Sequence, residues 1–155
     1  MPKKPKRFPK GHAYPPHKKE VRANAEELER QESATIAWKF SALDDGGEWG
    51  WEGAAKEDWW EKIFTKLKSI DSMTWAELAR ATGGRNNGNN HHFVQVKDLA
   101  KQAKDRLKEK NQEDVTQLFS LRLNARTRIY GIRDGRALKL LWYDPNHTVC
   151  PVTKK

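Results

Sequence analysis

From residue 115 onward the apolar residues stop recurring at helical spacing and begin to alternate, and this change of period constrains the fold more than any other feature. Residues 117–124 set Phe119, Leu121 and Leu123 against Leu118, Ser120 and Arg122. Residues 127–133 set Ile129, Gly131 and Arg133 against Arg128, Tyr130 and Ile132. Residues 136–143 set Leu138, Leu140 and Trp142 against Lys139, Leu141 and Tyr143. Asp134-Gly135 is a strong two-residue hairpin signal, and Pro145 stops the last strand. The pattern predicts a three-stranded antiparallel meander.

The preceding sequence reads mainly as helix. Residues 20–32 are rich in helix formers but hold only Val21 and Leu28 as aliphatics, which predicts a solvated helix. Residues 35–43, with Ile36, Trp38 and Phe40 alternating, predict a strand; Asp44-Asp45-Gly46-Gly47 ends it and leaves Trp49 and Trp51 in a loop. Trp59, Trp60, Ile63, Phe64, Leu67 and Ile70 mark the apolar side of a helix over 55–70. Thr74 and Glu77 form a capping-box pattern opening a short helix that Gly83-Gly84 ends, and a third helix over 96–110 turns Leu99, Ala103 and Leu107 inward. The predicted fold is therefore α+β: one strand, two to three helices, then the three-stranded meander packed on the helices.

The charge separates tail from body. Of the 155 residues, 30 are Lys or Arg and 21 Asp or Glu, a formal charge of +9. Residues 1–22 carry +7 and Lys154 and Lys155 the remaining +2, so residues 23–153 sum to zero. That body is polarised, with −8 over 23–61 and +4 in each of 62–114 and 115–153. Five of the seven prolines lie in the first 19 residues with few aliphatics, so 1–19 reads as a disordered basic tail and 20–153 as a single domain. Lys3, Lys4, Lys6, Arg7 and Lys10 make this tail a phosphate-binding arm, or else simply a solvated one. No apolar run has the length of a membrane span and the N-terminus lacks a secretory pattern, so a cytoplasmic protein without a membrane partner is expected.

Three clusters hold chemistry-bearing residues. Arg122, Arg126, Arg128, Arg133 and Arg136 fall within fifteen residues, with Lys139 on the next strand. Arginines on a rigid sheet fork onto phosphate, and Tyr130, on the face of Arg128, is placed to stack on a base; the same residues also suit a soluble sheet edge. In Tyr143-Asp144-Pro145-Asn146-His147, His147 has the chemistry of a general acid or base and Asp144 of its orienting partner, while Asp-Pro-Asn is equally ordinary turn chemistry. The loop 83–92 ends in His91 and His92, which on a strand point to opposite faces and so do not share a metal. With the single Cys150, no metal site and no cofactor are expected. Trp49 and Trp51 read as a lid on the core or as a contact surface.

Leu121-Arg122-Leu123-Asn124-Ala125-Arg126-Thr127-Arg128-Ile129-Tyr130-Gly131-Ile132-Arg133, followed by Leu138-Lys139-Leu140-Leu141-Trp142-Tyr143-Asp144 and Asn146-His147, resembles the closing strands of the RelE/ParE toxin superfamily. The closing segment is also similar to uncharacterised prokaryotic and mobile-element proteins. The superfamily resemblance implies a toxin paired with an antitoxin and, in its ribonuclease branches, metal-independent cleavage of mRNA in the ribosome. By position it implies Arg126 or Arg128 on the phosphate, His147 as acid or base and Tyr143 against the base. The expected function is thus a toxin-type, RNA-interacting endoribonuclease; the alternatives are a non-enzymatic nucleic-acid-binding accessory protein and a protein-interaction module of a mobile element.

Overall fold

The computed structural model describes residues 18–83 and 88–151, and the basic arm up to His17 lies outside the described residues. The elements are α1 (Lys18–Ser33), β1 (Ala37–Lys39), α2 (Ala54–Asp58), a π-helical turn (Trp59–Phe64), α3 (Thr65–Ile70), α4 (Trp75–Arg80), β2 (Thr82–Gly83), β3 (Gly88–Asn89), β4 (His92–Gln95), a 3-10 turn (Val96–Asp98), α5 (Lys101–Glu109), β5 (Gln117–Arg122), β6 (Arg128–Asp134) and β7 (Ala137–Asp144). Among the described residues no helix is long and apolar enough to cross a membrane.

The alternating half forms the meander β5–β6–β7 within an α+β fold. The sheet differs from the expected layout by having five strands in the order β1-β7-β6-β5-β4. β1 joins β7 in parallel, Trp38 opposite Leu138, and β4 joins β5 antiparallel, Phe93 opposite Phe119. β4 begins at His92, the last residue of the segment expected to be a loop, and continues through residues 93–95, to which the sequence pattern assigns no element. The β6–β7 hairpin is displaced by one residue from Asp134-Gly135: Asp134 pairs with Ala137, leaving Gly135-Arg136 as the link. Gly135 takes φ +63°, the positive value that a two-residue hairpin demands of its first position.

Helices cover both faces. On one, the π-helical turn, α3 and α4 seat Ile63, Leu67, Ile70, Trp75 and Leu78 against Phe119, Leu121, Ile129 and Leu138. On the other, α5 brings Ala103 and Leu107, with Leu99 just before it, onto Leu118, Tyr130, Leu141 and Trp142. The faces of β5 and β6 match their alternation. β7 departs from its own: Tyr130 opposes Trp142 while Gly131 opposes Leu140, so Leu141 is an extra, bulged residue. The bulge reverses the expected sides, sending Trp142 to the α5 side and Tyr143 to the α3 side. Its cause is non-local. The Leu141 carbonyl accepts the Asp44 N–H at 3.1 Å and the Trp51 indole N–H at 3.0 Å, from a loop running beside β7 beyond the end of β1.

The long helix corrects a second expectation. Ala55, Ile63, Leu67 and Ile70 are buried and Trp59 is partly so, but Trp60 is 71% exposed and Phe64 41%. The inward stripe 55-59-63-67 repeats every four residues, which in a regular helix drifts by about 40° per step. The wider π turn absorbs that drift and leaves Trp60 outside. The capping box forms as expected: the Thr74 hydroxyl accepts the Glu77 N–H and the Glu77 carboxylate accepts the Thr74 N–H, both at 3.1 Å.

Candidate nucleic-acid interface

Strand register builds the site. Ser120, Arg122, Arg128 and Tyr130 share one sheet face by the period-2 rule. Pairing sets His92, Ser120 and Tyr130 in one row across β4, β5 and β6, and Arg122, Arg128 and Asp144 in the next row across β5, β6 and β7. Beyond Asp144 the chain turns back over this face. The result is a cleft of about 440 Å³ lined by His92, Val94, Ser120, Arg128, Tyr130, His147, Cys150 and Pro151.

Asp144 shapes that return. It is fully buried; its Oδ1 accepts the Thr148 N–H at 3.0 Å and its Oδ2 the Val149 N–H at 2.9 Å. Its hydrogen bonds thus go to the turn, the Thr148 hydroxyl at 3.3 Å included, and it orients His147 through the chain. His147 itself takes φ +58°, a left-handed conformation that turns its ring into the cleft. Burial lowers its pKa below the ordinary imidazole value, the Arg128 cation and His92 lower it further, and Asp144 opposes them. The ring is therefore neutral at neutral pH and suited to accept a proton.

The two central arginines are braced. Arg128 Nη1 donates to the carbonyls of Asn124 at 2.7 Å and Thr127 at 3.1 Å, and Arg122 Nε donates to the Asn124 carbonyl at 3.2 Å. The Asn124 side chain in turn accepts the N–H groups of Arg126 and Thr127 at 2.9 and 2.8 Å, an Asx-type turn that fixes the loop. No described carboxylate pairs with Arg122 or Arg128 within ion-pair distance. Burial and the neighbouring Arg122 cation lower the Arg128 pKa, so bringing an anion into the cleft relieves an electrostatic penalty.

His91 lies behind the arginines, buried, its Nδ1 accepting the Arg122 N–H at 3.0 Å. Burial, followed by the electrostatic effect of Lys66, His92, Arg128 and Arg122, brings its pKa down to about 4. It holds the end of β5 as a neutral acceptor, while His92 on the adjacent position faces the cleft.

Other sequence candidates stand elsewhere. Arg126 is exposed on the turn at the rim, its side chain free to reach outward. Tyr130 is only 1% exposed; its ring belongs to the α5-side core, so it forms the cleft floor where a stacking platform was expected. Tyr143 is on the opposite face of the sheet, 2% exposed, its hydroxyl donating to Asp58 at 2.7 Å, which separates it from His147. Arg133 also faces away: it bonds Glu32 at 2.6 Å and lies 3.9 Å over the Trp75 ring. Arg136 braces Thr35 and Lys139 pairs with Asp134 at 3.4 Å. Five residues of strand set Arg133 about 17 Å from Arg128, so the arginine run divides between two ends of β6. Lys3, Lys4, Lys6, Arg7 and Lys10 lie outside the described residues. Trp49 is core, 4% exposed, donating to Thr148 at 2.9 Å, and Trp51 is partly buried.

Sequence reasoning passed over Ser120 and Asn124. Ser120 had a legible signal, as a polar residue on the face of Arg122; Asn124 had one in the Asn-Ala-Arg-Thr turn. Among the described residues no three His, Cys, Asp or Glu side chains converge as a metal site. No protein-family model matches this chain, and no curated protein or solved structure shows significant similarity to it.

Proposed function

We propose that this chain binds RNA through the Arg122–Arg128 face and cleaves it as a toxin-type endoribonuclease of the RelE/ParE kind. The observation that carries the reading is the row of two arginines without carboxylate partners beside a cleft holding His147 and His92. Arginines fork onto phosphate oxygens, and placed in a half-buried cleft they stabilise charge developing on a phosphorane. His147, neutral, takes the proton of the RNA 2′-hydroxyl as that oxygen attacks phosphorus. The P–O5′ bond breaks, and His92 on the facing wall returns a proton to the departing 5′-oxygen. The products are a 2′,3′-cyclic phosphate and a 5′-hydroxyl, and the scheme draws its positive charge from arginine. The basic arm adds salt-dependent phosphate contacts. A cognate antitoxin and the ribosome are the partners this reading brings with it.

A binding-only role as a nucleic-acid accessory protein is the second reading, favoured by the bonds that already occupy part of the Arg128 fork. Purified chain incubated with end-labelled RNA separates the two. Cleavage yielding cyclic-phosphate ends, absent at a 2′-deoxy position and lost in Arg128→Ala and His147→Ala, supports the enzyme. Retention of RNA without cleavage supports the accessory protein, and undiminished cleavage in both variants sinks the catalytic assignment.

A further inference from the structure

On the α4 side of the sheet, across the edge strand β4 from the histidine cleft, lies a second cavity, of about 250 Å³. Trp75, Phe93 and Phe119 line it, Phe119 meeting each of the other two near perpendicular with ring centres 5.1 and 4.9 Å apart. Drug-sized ligands take about 300–1,000 Å³, so this smaller volume suits a single ring system. His91 supplies the polar point. It is 7% exposed, and its Nδ1 is taken by the Arg122 N–H at 3.0 Å. The neutral ring therefore carries its proton on Nε2, as a donor, and no described residue accepts that proton. Among the described residues no fully buried side-chain nitrogen or oxygen lacks a partner, so Nε2 keeps access to open space, and the cavity is the space His91 lines.

Glu32 supplies an acceptor: Arg133 takes its Oε1 at 2.6 Å, and no described hydrogen bond uses Oε2. The Arg133 guanidinium, 3.9 Å over the Trp75 ring, disfavours a second cation. The occupant that suits these walls is flat and uncharged, accepts a hydrogen bond at one end and donates one at the other. A nucleobase bearing an amino group has those features, with a ring nitrogen or carbonyl for His91, the amino group for Glu32 and a π face for the aromatic rings. His92 lines both this cavity and the cleft, so a strand with its phosphate on Arg128 passes the end of β4 to bring a neighbouring base here. We propose that the cavity is a base-binding subsite, filled by an amino-bearing nucleobase of the RNA held in the cleft. The assignment rests on the RNA-binding reading of that cleft. An acceptor on Nε2–H strengthens Nδ1 as the acceptor of the Arg122 N–H, so a seated base tightens the arginine row.

Ala79 stands exposed on α4 beside the cavity, so Ala79→Leu fills the space at little cost to the helix. The test follows, by fluorescence anisotropy, binding of a short single-stranded 2′-O-methyl oligoadenylate, which lacks the nucleophilic hydroxyl. The parent is expected to bind it about tenfold more tightly than Ala79→Leu does, and to bind the abasic sugar–phosphate chain no better than the variant does. Phe93→Ala, which removes an exposed stacking face, is expected to repeat the pattern. Arg128→Ala is expected to weaken both probes, which reports on the cleft alone. Equal oligoadenylate affinities in the parent, Ala79→Leu and Phe93→Ala, with Arg128→Ala still weaker, overturn the base subsite and leave the RNA reading intact. If the parent binds neither probe, the RNA reading fails and the strand as the source of the base fails with it. Adenosine monophosphate that then shifts the His91 ring NMR signals of the parent, and not those of Ala79→Leu, assigns the cavity to a free nucleotide; unmoved signals overturn the site altogether.

Discussion

Asp44 and Arg106, sixty-two positions apart, meet through two short hydrogen bonds, Nε to Oδ2 at 2.7 Å and Nη2 to Oδ1 at 2.6 Å. Asp44 is 1% exposed and also accepts the Trp142 indole N–H at 2.9 Å, with Lys110 at 3.4 Å. One carboxylate thus ties α5, the β1–α2 loop and β7 together. Gly47, at φ +81°, lets the loop pass beneath the guanidinium: a Cβ there would sit 3.0 Å from Arg106 Nε.

Removing that carboxylate leaves the Trp142 indole N–H without its acceptor, Lys110 without its pair, and Arg106 with only Glu109 at 2.9 Å, in a half-buried setting. Asp44→Ala is expected to cost about 3–5 kcal/mol in urea unfolding, the usual loss on breaking one side of a buried pair. A loss below about 1 kcal/mol would show that water replaces the carboxylate freely. Burial alone raises the Asp44 pKa, but the hydrogen bonds from Arg106 and Trp142 and the nearby cations outweigh it and hold the value low. Its stabilisation is therefore present above about pH 3.9 and disappears as the pH falls through the lower folded value.

His91 acts at a higher pH. Its folded pKa of about 4 lies below the ordinary imidazole value, so the unfolded chain binds the proton more readily. Stability from this residue is present above about pH 6.5 and declines by up to about 1.4 kcal/mol per unit as the pH falls toward the folded value. Urea unfolding of the parent and of His91→Gln between pH 7.5 and 4.5 measures this. The parent is expected to lose the additional slope that the variant lacks; parallel curves would show that His91 does not titrate between the folded and unfolded states.

At His147 stability and activity should move in opposite directions. Its φ of +58° costs a non-glycine residue about 1–2 kcal/mol, less where a polar side chain bonds locally. His147→Gly relieves that strain and removes the ring. The expected result is a melting temperature equal to or above the parent's together with loss of RNA cleavage. A destabilised variant would mean that the imidazole packs the cleft as a structural plug.

The sequence reveals the local parts of this architecture and misses those made by distant segments. β5 and β6 have polar Ser120 and Arg128 on one side and apolar Leu121 and Ile129 on the other, so their faces follow from alternation alone. β4 does not: His92 to Gln95 holds strand-favouring Phe93 and Val94, but four residues are too short a run to show a period, and pairing with β5 makes them a strand. The site shows the same division. Arg122, Arg128 and Tyr130 are neighbours by register, but closeness in sequence misleads for Arg133 and Arg136, because an extended strand carries its residues apart. His92 and His147 meet in one cleft only because β4 and the turn after β7 reach it from opposite sides.

Tyr143 gives the sharpest test of the β7 bulge. Strict alternation would place it with Lys139 and close to the chemistry; the extra Leu141 instead turns its hydroxyl to Asp58, on the far side of the sheet. Tyr143→Phe keeps the ring's packing and removes one buried hydrogen bond, leaving Asp58 its contact with Lys62 at 3.1 Å. The expected stability loss is about 1–2 kcal/mol in urea unfolding, with RNA cleavage unchanged. Asp58→Asn, which keeps an acceptor, is expected to lose less than Tyr143→Phe. If Tyr143→Phe instead abolished cleavage while remaining as stable as the parent, the phenol would have to face the nucleic acid, and the bulged register of β7 would be wrong.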